Sequence, residues 1–352
     1  MAEKKEIKLT INGKEAKGKA GDTVLEVCRN NSIYVPTLCY LEGLSNVGAC
    51  RLCVVEIEGE RRLNPACTYP ARDGLVVKTN TEKLEKYRRQ ILELMFTERN
   101  HHCFVCVASG DCDLQKLAYQ YQMDHVRYPY SFPTLPTDPL NKYLVIDHNR
   151  CILCGRCVRI CDEVVGNRTL DFGKRGWRTM LIADLSQSLG ESTCISCGAC
   201  AQACPTGAIF SKMSAYRGRT TEGKIIHSIC SLCGVGCDID VLVKDNNIVK
   251  INATNLTGLK GQLCRKGRFE QIYKEAPRIT APIITDMRGG SARTASWEEA
   301  LNRASEGIRA YRSRYGTGSI AGLISSLCPN ETLEAFTKLM RQTVRTSLLD
   351  TL

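Results

Sequence analysis

Ile7 to Ile11 alternates apolar and polar positions, the period of a half-buried strand. Asn12-Gly13 follows, a pair suited to a tight hairpin turn, and residues 14–20 carry a second strand back. Asp22 stands where it would cap a short helix over Thr23–Arg29. Leu52–Ile57 and Leu75–Thr79 read as further strands, so residues 1–78 predict a small β-grasp-like sheet. From Thr81 to Glu98 the period becomes helical, with Leu84, Tyr87, Ile91, Leu94 and Met95 as the expected buried stripe. Residues 113–140 read as helical, then extended through the aromatic, proline-rich Tyr128–Pro136, an ordered linker packed on a cluster domain rather than a docking strip. Tyr143–Ile146 predicts a strand, 162–193 a hairpin or shield, and 211–224 a basic linker. Asp238–Lys244 and Ile248–Asn252 alternate around a turn at Asp245–Asn247, and 277–284 reads as extended. Trp297–Tyr311 is amphipathic, with Trp297, Ala300, Leu301, Ala304 and Ile308 on one side. Ser319–Ser325 reads as a buried strand and Thr332–Val344 as a last helix.

Composition changes this picture. A chain of 352 residues would ordinarily form two or three domains. With 21 cysteines and only 6% aromatics, smaller modules stapled by metal are expected instead. A disulfide scaffold is the rival explanation of so many cysteines. Met1–Ile11 has charge but no apolar core of a signal peptide, and no run of 18 apolar residues occurs, so the expectation is a reducing, cytoplasmic compartment without a membrane span.

The cysteine spacing gives the chemistry. Cys151-x2-Cys154-x2-Cys157-x3-Cys161 is repeated as Cys194-x2-Cys197-x2-Cys200-x3-Cys204-Pro205. Three thiolates on one short loop wrap part of a cubane, and the fourth, lying too far round, reaches the other cluster. Cys151, Cys154, Cys157 and Cys204 are therefore expected on one [4Fe-4S], and Cys194, Cys197, Cys200 and Cys161 on the other. Zinc does not need two such runs, and neighbouring cysteines in them are poor disulfide partners.

Three further sets stand on either side. Cys39, Cys50, Cys53 and Cys67 suit one [2Fe-2S], although the first gap of ten residues exceeds that of plant ferredoxin. Cys103, Cys106 and Cys112 leave a cubane one ligand short, which His101 or His102 can supply; His101 is the choice, because the residue adjacent to Cys103 is tightly constrained in direction. Cys230, Cys233, Cys237 and Cys264 suit a further [4Fe-4S], with structural zinc as the rival. Cys28 and Cys328 remain, both expected to pack as small hydrophobes. A net charge of +11 would ordinarily suggest nucleic acid or an anionic membrane. One [2Fe-2S] and four [4Fe-4S] clusters with their thiolates bring about −9, leaving a loaded chain near about +2, so the basic excess is internal compensation and no nucleic-acid partner is expected.

These motifs carry a resemblance. Glu98-Arg-Asn-His-His-Cys-Phe-Val-Cys-Val-Ala-Ser-Gly-Asp-Cys112, with Asp124-His-Val-Arg-Tyr-Pro129 after it, makes residues 1–224 similar to the diaphorase-side iron–sulfur subunit of NAD(P)-linked [NiFe] hydrogenases, the electron-bifurcating ones included. The likeness extends to the amino-terminal region of the large iron–sulfur subunit of complex I and of NAD-dependent formate dehydrogenase. In much of that family the cluster histidine lies four residues before the first cysteine, where Arg99 stands here. Residues 225–311 resemble the start of molybdopterin oxidoreductases in their cysteines, in Lys266 between cluster and pterin, in Arg278–Ile283 and in Ala295–Leu301. That fold needs several hundred further residues to enclose a pterin, so no molybdenum site is expected and Lys266 is read as a relic or an electrostatic neighbour of the cluster.

The expectation is a modular α+β protein. It comprises a β-grasp [2Fe-2S] domain (1–78), a His/Cys3 [4Fe-4S] domain (79–145), a two-cluster ferredoxin domain (146–224), a molybdopterin-oxidoreductase-type [4Fe-4S] domain (225–284) and a truncated remnant of that type (285–352). No G-x-G-x-x-G loop, acid–base pair or nucleophile triad occurs, so neither flavin nor NAD is expected on the chain and no residue is assigned a catalytic role. The chain is read as an electron conduit within an oxidoreductase complex. The resemblance implies as partners a flavoprotein NAD(P)H subunit, a small [2Fe-2S] subunit, the small and large [NiFe] hydrogenase subunits and ferredoxin. The alternatives are an amino-terminal portion of a formate dehydrogenase or complex I-like subunit and, in another class, a zinc scaffold.

Overall fold

The computed structural model describes residues 5–258, 262–270, 279–285 and 290–351. Two units divide the chain: Met1–Cys230 with Cys237–Tyr273, and Ser231–Gly236 with Lys274–Leu352.

In the first unit, Asn12 (φ 51°) and Gly13 (φ 79°) both take the left-handed conformation that a type I′ turn requires. The turn pairs β1 (Glu6–Ile11) with β2 (Lys14–Lys19) antiparallel, and alternation buries Ile7, Leu9 and Ile11. Helix α1 (Val24–Asn30) is capped by Thr23, not Asp22. The Thr23 hydroxyl accepts the Glu26 amide and the Glu26 carboxylate accepts the Thr23 amide, forming a capping box, while Asp22 accepts the Lys19 amide at 2.8 Å. Strands β3 (Val54–Ile57), β4 (Asn64–Pro65) and β5 (Val76–Lys78) complete a sheet of order β2-β1-β5-β3-β4, with β1 and β5 parallel.

Helix α2 (Glu82–Glu98) starts at the Thr81 cap, but its buried face is rotated from the expected stripe. Tyr87 and Leu94 are exposed, whereas Leu84, Arg88, Leu92, Glu93 and Thr97 are buried. The cause is Arg88, whose guanidinium donates to the carbonyls of Leu52, Val54 and Thr79 at 3.1, 2.9 and 2.9 Å. Glu93 is held by Arg89 and Arg127. An apolar count cannot find a face whose burial rests on hydrogen-bonded charges.

Next come α3 (Asp113–Gln120), β6 (Thr137–Asp138), β7 (Leu144–Asp147), α4 (Arg156–Arg159), the hairpin β8 (Leu170–Gly173) and β9 (Met180–Ala183), α5 (Ala199–Ala203) and β10 (Ile209–Ser211). Strands β10, β7 and β6 form one small sheet. The expected linker at 211–224 is tied down: the Tyr216 hydroxyl donates to the Val105 carbonyl, and the Thr220 amide to the Asp111 carboxylate. It runs into β11 (Lys224–Ile229), a strand absent from the sequence reading, which edges the expected hairpin of β12 (Asp238–Lys244) and β13 (Asn247–Ala253).

The second unit pairs β14 (Ile283–Thr285) with β15 (Ala292–Thr294), so the extended reading holds over its described end; 277 and 278 lie outside the described residues. Helix α6 (Trp297–Tyr315) runs past the expected Tyr311 end and buries no residue. Trp297 is 70% and Leu301 62% exposed, so the predicted apolar side forms no core. Strand β16 (Gly322–Ile324) pairs in parallel with β17 (Leu349–Thr351), and α7 (Asn330–Lys338) lies between them in the chain, continuing as a wider helical turn over Leu339–Val344. The expected buried strand Ser319–Ser325 is shortened and Leu323 is exposed, because a parallel pair is buried only when both its faces are covered. Among the described residues no helix is long and apolar enough to cross a membrane.

Candidate iron–sulfur sites

Cys39, Cys50, Cys53 and Cys67 are all buried, carried by the loops on either side of β3 and β4. Gly43 (φ 82°) and Gly48 (φ 61°) give the first loop its curvature. The thiols are close enough to perturb one another, Cys39 with Cys50 and Cys67, and Cys53 with Cys67. Their interaction lowers the pKa of Cys39 and Cys53 and raises that of Cys50 and Cys67. The Leu38 amide also donates to Cys50 Sγ at 3.4 Å.

The two ferredoxin runs have matching backbones. Leu153 (φ 53°) and Ser196 (φ 56°) precede the second cysteine of each run, and Gly155 (φ 71°) and Gly198 (φ 77°) follow it. The left-handed turns direct the Leu153 amide to Cys151 Sγ and the Ser196 amide to Cys194 Sγ, both at 3.4 Å. Helices α4 and α5 carry Cys157 and Cys200 inward; α4 continues as a wider helical turn over Ile160–Val164 that holds Cys161, whereas α5 ends at the extended Cys204. Cys204 lies within electrostatic reach of Cys151, Cys154 and Cys157, and Cys161 of Cys194, Cys197 and Cys200. Cys204 reaches Cys200 as well, so the two sets of thiols lie side by side.

Burial raises these thiols, Cys151 to about 11, Cys154 to about 12, and Cys157 and Cys200 well above the usual range. Thiolates crowded in such surroundings need a cationic core among them, so the donor sets fit iron–sulfur clusters.

Cys103, Cys106, Cys112, His101 and His102 line one cavity, together with Arg150 and Thr206. The two histidines are placed differently. His102 lies against Phe104 and Phe132, ring centroids 6.0 Å away. The His101 ring donates to the Met95 carbonyl, and its buried Nε2 has no hydrogen-bond partner among the described residues. Burial, with the charges of Arg150 and Arg99 added, lowers His101 to about 4, leaving a neutral ring with a free lone pair. A fixed Nδ1–H and an open Nε2 fit a metal ligand. The Tyr128–Pro136 strip packs here as expected of an ordered linker: the Ser131 amide donates to the Thr97 carbonyl, and Tyr130 lies 4.6 Å from Phe132.

Of the last set, Cys230 and Cys237 are buried and joined by a backbone hydrogen bond, 2.8 Å from the Cys230 amide to the Cys237 carbonyl. The Gly267 amide faces Cys264 Sγ at 3.5 Å, and a side chain at Gly267 would meet the sulfurs of Cys230 and Cys264. Cys233, on the loop Ser231–Gly236 of the second unit, is exposed. Lys266 is exposed as well.

Several arginines among the sites were not singled out by the sequence reading. Arg159 donates to the carbonyls of Cys39 and Ser45, joining the first and third sets of loops. Arg268, buried, donates to the Cys197 carbonyl at 2.8 Å and to Gln202 at 2.9 Å. Arg150 donates to Cys106 Sγ at 3.1 Å. Their signal lay in the basic excess and in their places beside cysteines. The loops also meet directly: a Cβ at Gly207, after Cys204, would fall 2.3 Å from the Ala108 methyl carbon, and the Asp113 amide donates to the Pro205 carbonyl at 2.8 Å.

Four family profiles match in chain order: a 2Fe-2S iron–sulfur cluster binding domain over residues 4–82, the NADH-ubiquinone oxidoreductase-G iron–sulfur binding region over 88–127, a 4Fe-4S dicluster domain over 150–208 and the molybdopterin oxidoreductase Fe4S4 domain over 224–272. A chain in the crystal structure of NAD+-reducing [NiFe]-hydrogenase in the H2-reduced state is 37% identical with a TM-score of 0.58, over 61% of this chain and 91% of that one. This chain belongs to the NADH-ubiquinone oxidoreductase-G-like family of iron–sulfur proteins. Family members of other names are also similar. NADPH-Fe(3+) oxidoreductase subunit alpha of Geobacter sulfurreducens is 33% identical over 98% of this chain and 40% of its own length. An NADH-quinone oxidoreductase component of Rhizobium meliloti is 35% identical over the same shares. A putative formate dehydrogenase of Staphylococcus aureus is 26% identical over 97% of this chain and 38% of its own. The chain thus spans about two fifths of the length of these curated relatives. It carries 2Fe-2S and 4Fe-4S iron–sulfur domains.

Proposed function

We propose that the chain holds one [2Fe-2S] and four [4Fe-4S] clusters and relays electrons between a flavoprotein subunit that handles NAD(P)H and the catalytic subunits of a larger complex. The clusters supply one-electron chemistry; the chain supplies the ligands, the spacing and the surrounding charge. In this reading Cys39, Cys50, Cys53 and Cys67 hold the [2Fe-2S]; His101, Cys103, Cys106 and Cys112 hold the next cluster; the crossed ferredoxin sets hold two; and Cys230, Cys233, Cys237 and Cys264 hold the last.

The observation that carries the relay is shared packing. Cys39, Cys50, Cys112 and Cys154, from three different ligand sets, lie in one buried apolar cluster. Cys157 and Cys200 lie together in the next, which Phe269 joins five residues after Cys264.

The reading as a subunit of NAD(P)-linked, electron-bifurcating [NiFe] hydrogenase rests on the 37% identity to the hydrogenase chain. It adds hydrogenase subunits, a small [2Fe-2S] subunit and ferredoxin as partners. A second reading, an NADPH- or formate-linked oxidoreductase, is favoured by coverage: relatives so named match 97–98% of the chain, against 61% for the hydrogenase chain. Purification of the intact complex tests both. About 18 irons per chain, several overlapping EPR signals on reduction and co-purifying hydrogenase subunits are expected. Formate-oxidising activity without hydrogenase would select the second reading, and stoichiometric zinc without a reducible signal would overturn the relay. In a His101→Cys variant one EPR signal and its potential should change while the others stay.

A further inference from the structure

Arg150 connects two of the sites in a way the ligand pattern alone does not express. Its Nη1 donates to Cys106 Sγ at 3.1 Å, and its side chain lines the cavity shared by His101, Cys103, Cys106 and Cys112. Its Nε donates to the Asp147 carboxylate at 2.9 Å, which fixes the guanidinium plane, and both side chains are largely buried. Its carbonyl accepts the Thr206 hydroxyl at 2.8 Å, and Thr206 lines the same cavity. The next residue is Cys151, the first sulfur of the ferredoxin set. One residue therefore contacts a sulfur of one site through its side chain and stands one peptide from a sulfur of the next.

From this geometry we infer that Arg150 is a positioning residue that raises the reduction potential of the cluster held by His101, Cys103, Cys106 and Cys112, with Asp147 setting how far. The inference rests on the ligand assignment proposed above. Reduction adds negative charge to a cluster. A charge-assisted N–H···S bond withdraws electron density from the sulfur and stabilises the reduced form, so the potential rises. Asp147 opposes this by countering part of the guanidinium charge. Arginine suits the place better than lysine because its planar fork holds the carboxylate and the sulfur at once.

The test is a redox titration of the holoprotein, followed by EPR, on Arg150→Gln, Arg150→Lys and Asp147→Asn. A Cys106→Ser variant, losing one signal and one cluster's worth of iron, first identifies the signal to follow. If Cys106→Ser loses neither, the ligand assignment fails, whatever Arg150 does. With that signal identified, Arg150→Gln should shift it to more negative potential, Arg150→Lys should restore part of the shift, and Asp147→Asn should move it the opposite way. A purely structural role predicts loss of iron, or shifts of one sign in both Gln and Asn variants. Unchanged potentials with full iron, or equal shifts of every signal, overturn the inference. If Arg150→Gln loses its cluster, the opposed shifts of Arg150→Lys and Asp147→Asn still decide it.

Discussion

Helices α1 and α6 are a useful contrast. The first has seven residues and buries Val24, Leu25, Val27 and Cys28 against the β-grasp sheet. The second has nineteen and buries none, although its sequence is clearly amphipathic. Length and periodicity favour α6, yet α1 has the core. An apolar stripe states that a helix needs a partner; whether the chain supplies one is a question of tertiary contact.

Substitutions sharpen the contrast, and the largest effect is expected in the core. Leu25→Ala should lower the stability of the β-grasp module by about 2–5 kcal/mol, since a fully buried leucine leaves a cavity. Leu301→Ala on α6 should stay within about 0.5 kcal/mol, as for an exposed position. Denaturant melts of each variant check both; a large loss at Leu301 would show that α6 has a buried face after all.

A smaller effect concerns the two cysteines outside the ligand sets. Burial raises Cys28 from 9.0 to about 11. A thiol with a raised folded-state pKa stabilises the fold in full below pH about 9. That contribution is lost as pH rises through about 11, because the unfolded chain ionises first. Stability of the β-grasp module should therefore decline across that window, and Cys28→Ala should flatten the decline. At pH 8 Cys28 should resist alkylation while the part-exposed Cys328 reacts, as peptide mass spectrometry would report. The smallest effect is expected at the helix cap: Thr23→Ala should cost about 1 kcal/mol, and a loss no larger than that of Asp22→Ala would return the cap to Asp22.

The amino-terminal hairpin, α2 and the β12–β13 hairpin were legible because spacing specifies them: a turn pair, a helical period, an alternation on either side of a turn. What was not legible depended on charges that act at a distance. Arg88 rotates the buried face of α2, and Thr23 rather than Asp22 completes a capping box because Glu26 stands three residues on. His101 was preferred over His102 because the residue directly beside Cys103 is constrained in direction; the hydrogen bond between the His101 ring and the Met95 backbone belongs to the fold alone. Strand β11 escaped notice because its residues are exposed along their whole length and show no alternation in burial.

The close approach of Gly207 to Ala108 bears on how such proteins can be recombined. Strings of cluster domains invite the view that each is a cassette, exchangeable by cutting between them. A ferredoxin cassette bearing any side chain at this position would be held off the histidine-bearing loop by the width of that side chain. Electron tunnelling slows exponentially with distance, so a graft that folds and loads its iron would still conduct poorly. The seam between cassettes is therefore constrained as a single object, and its smallest residue sets the gap.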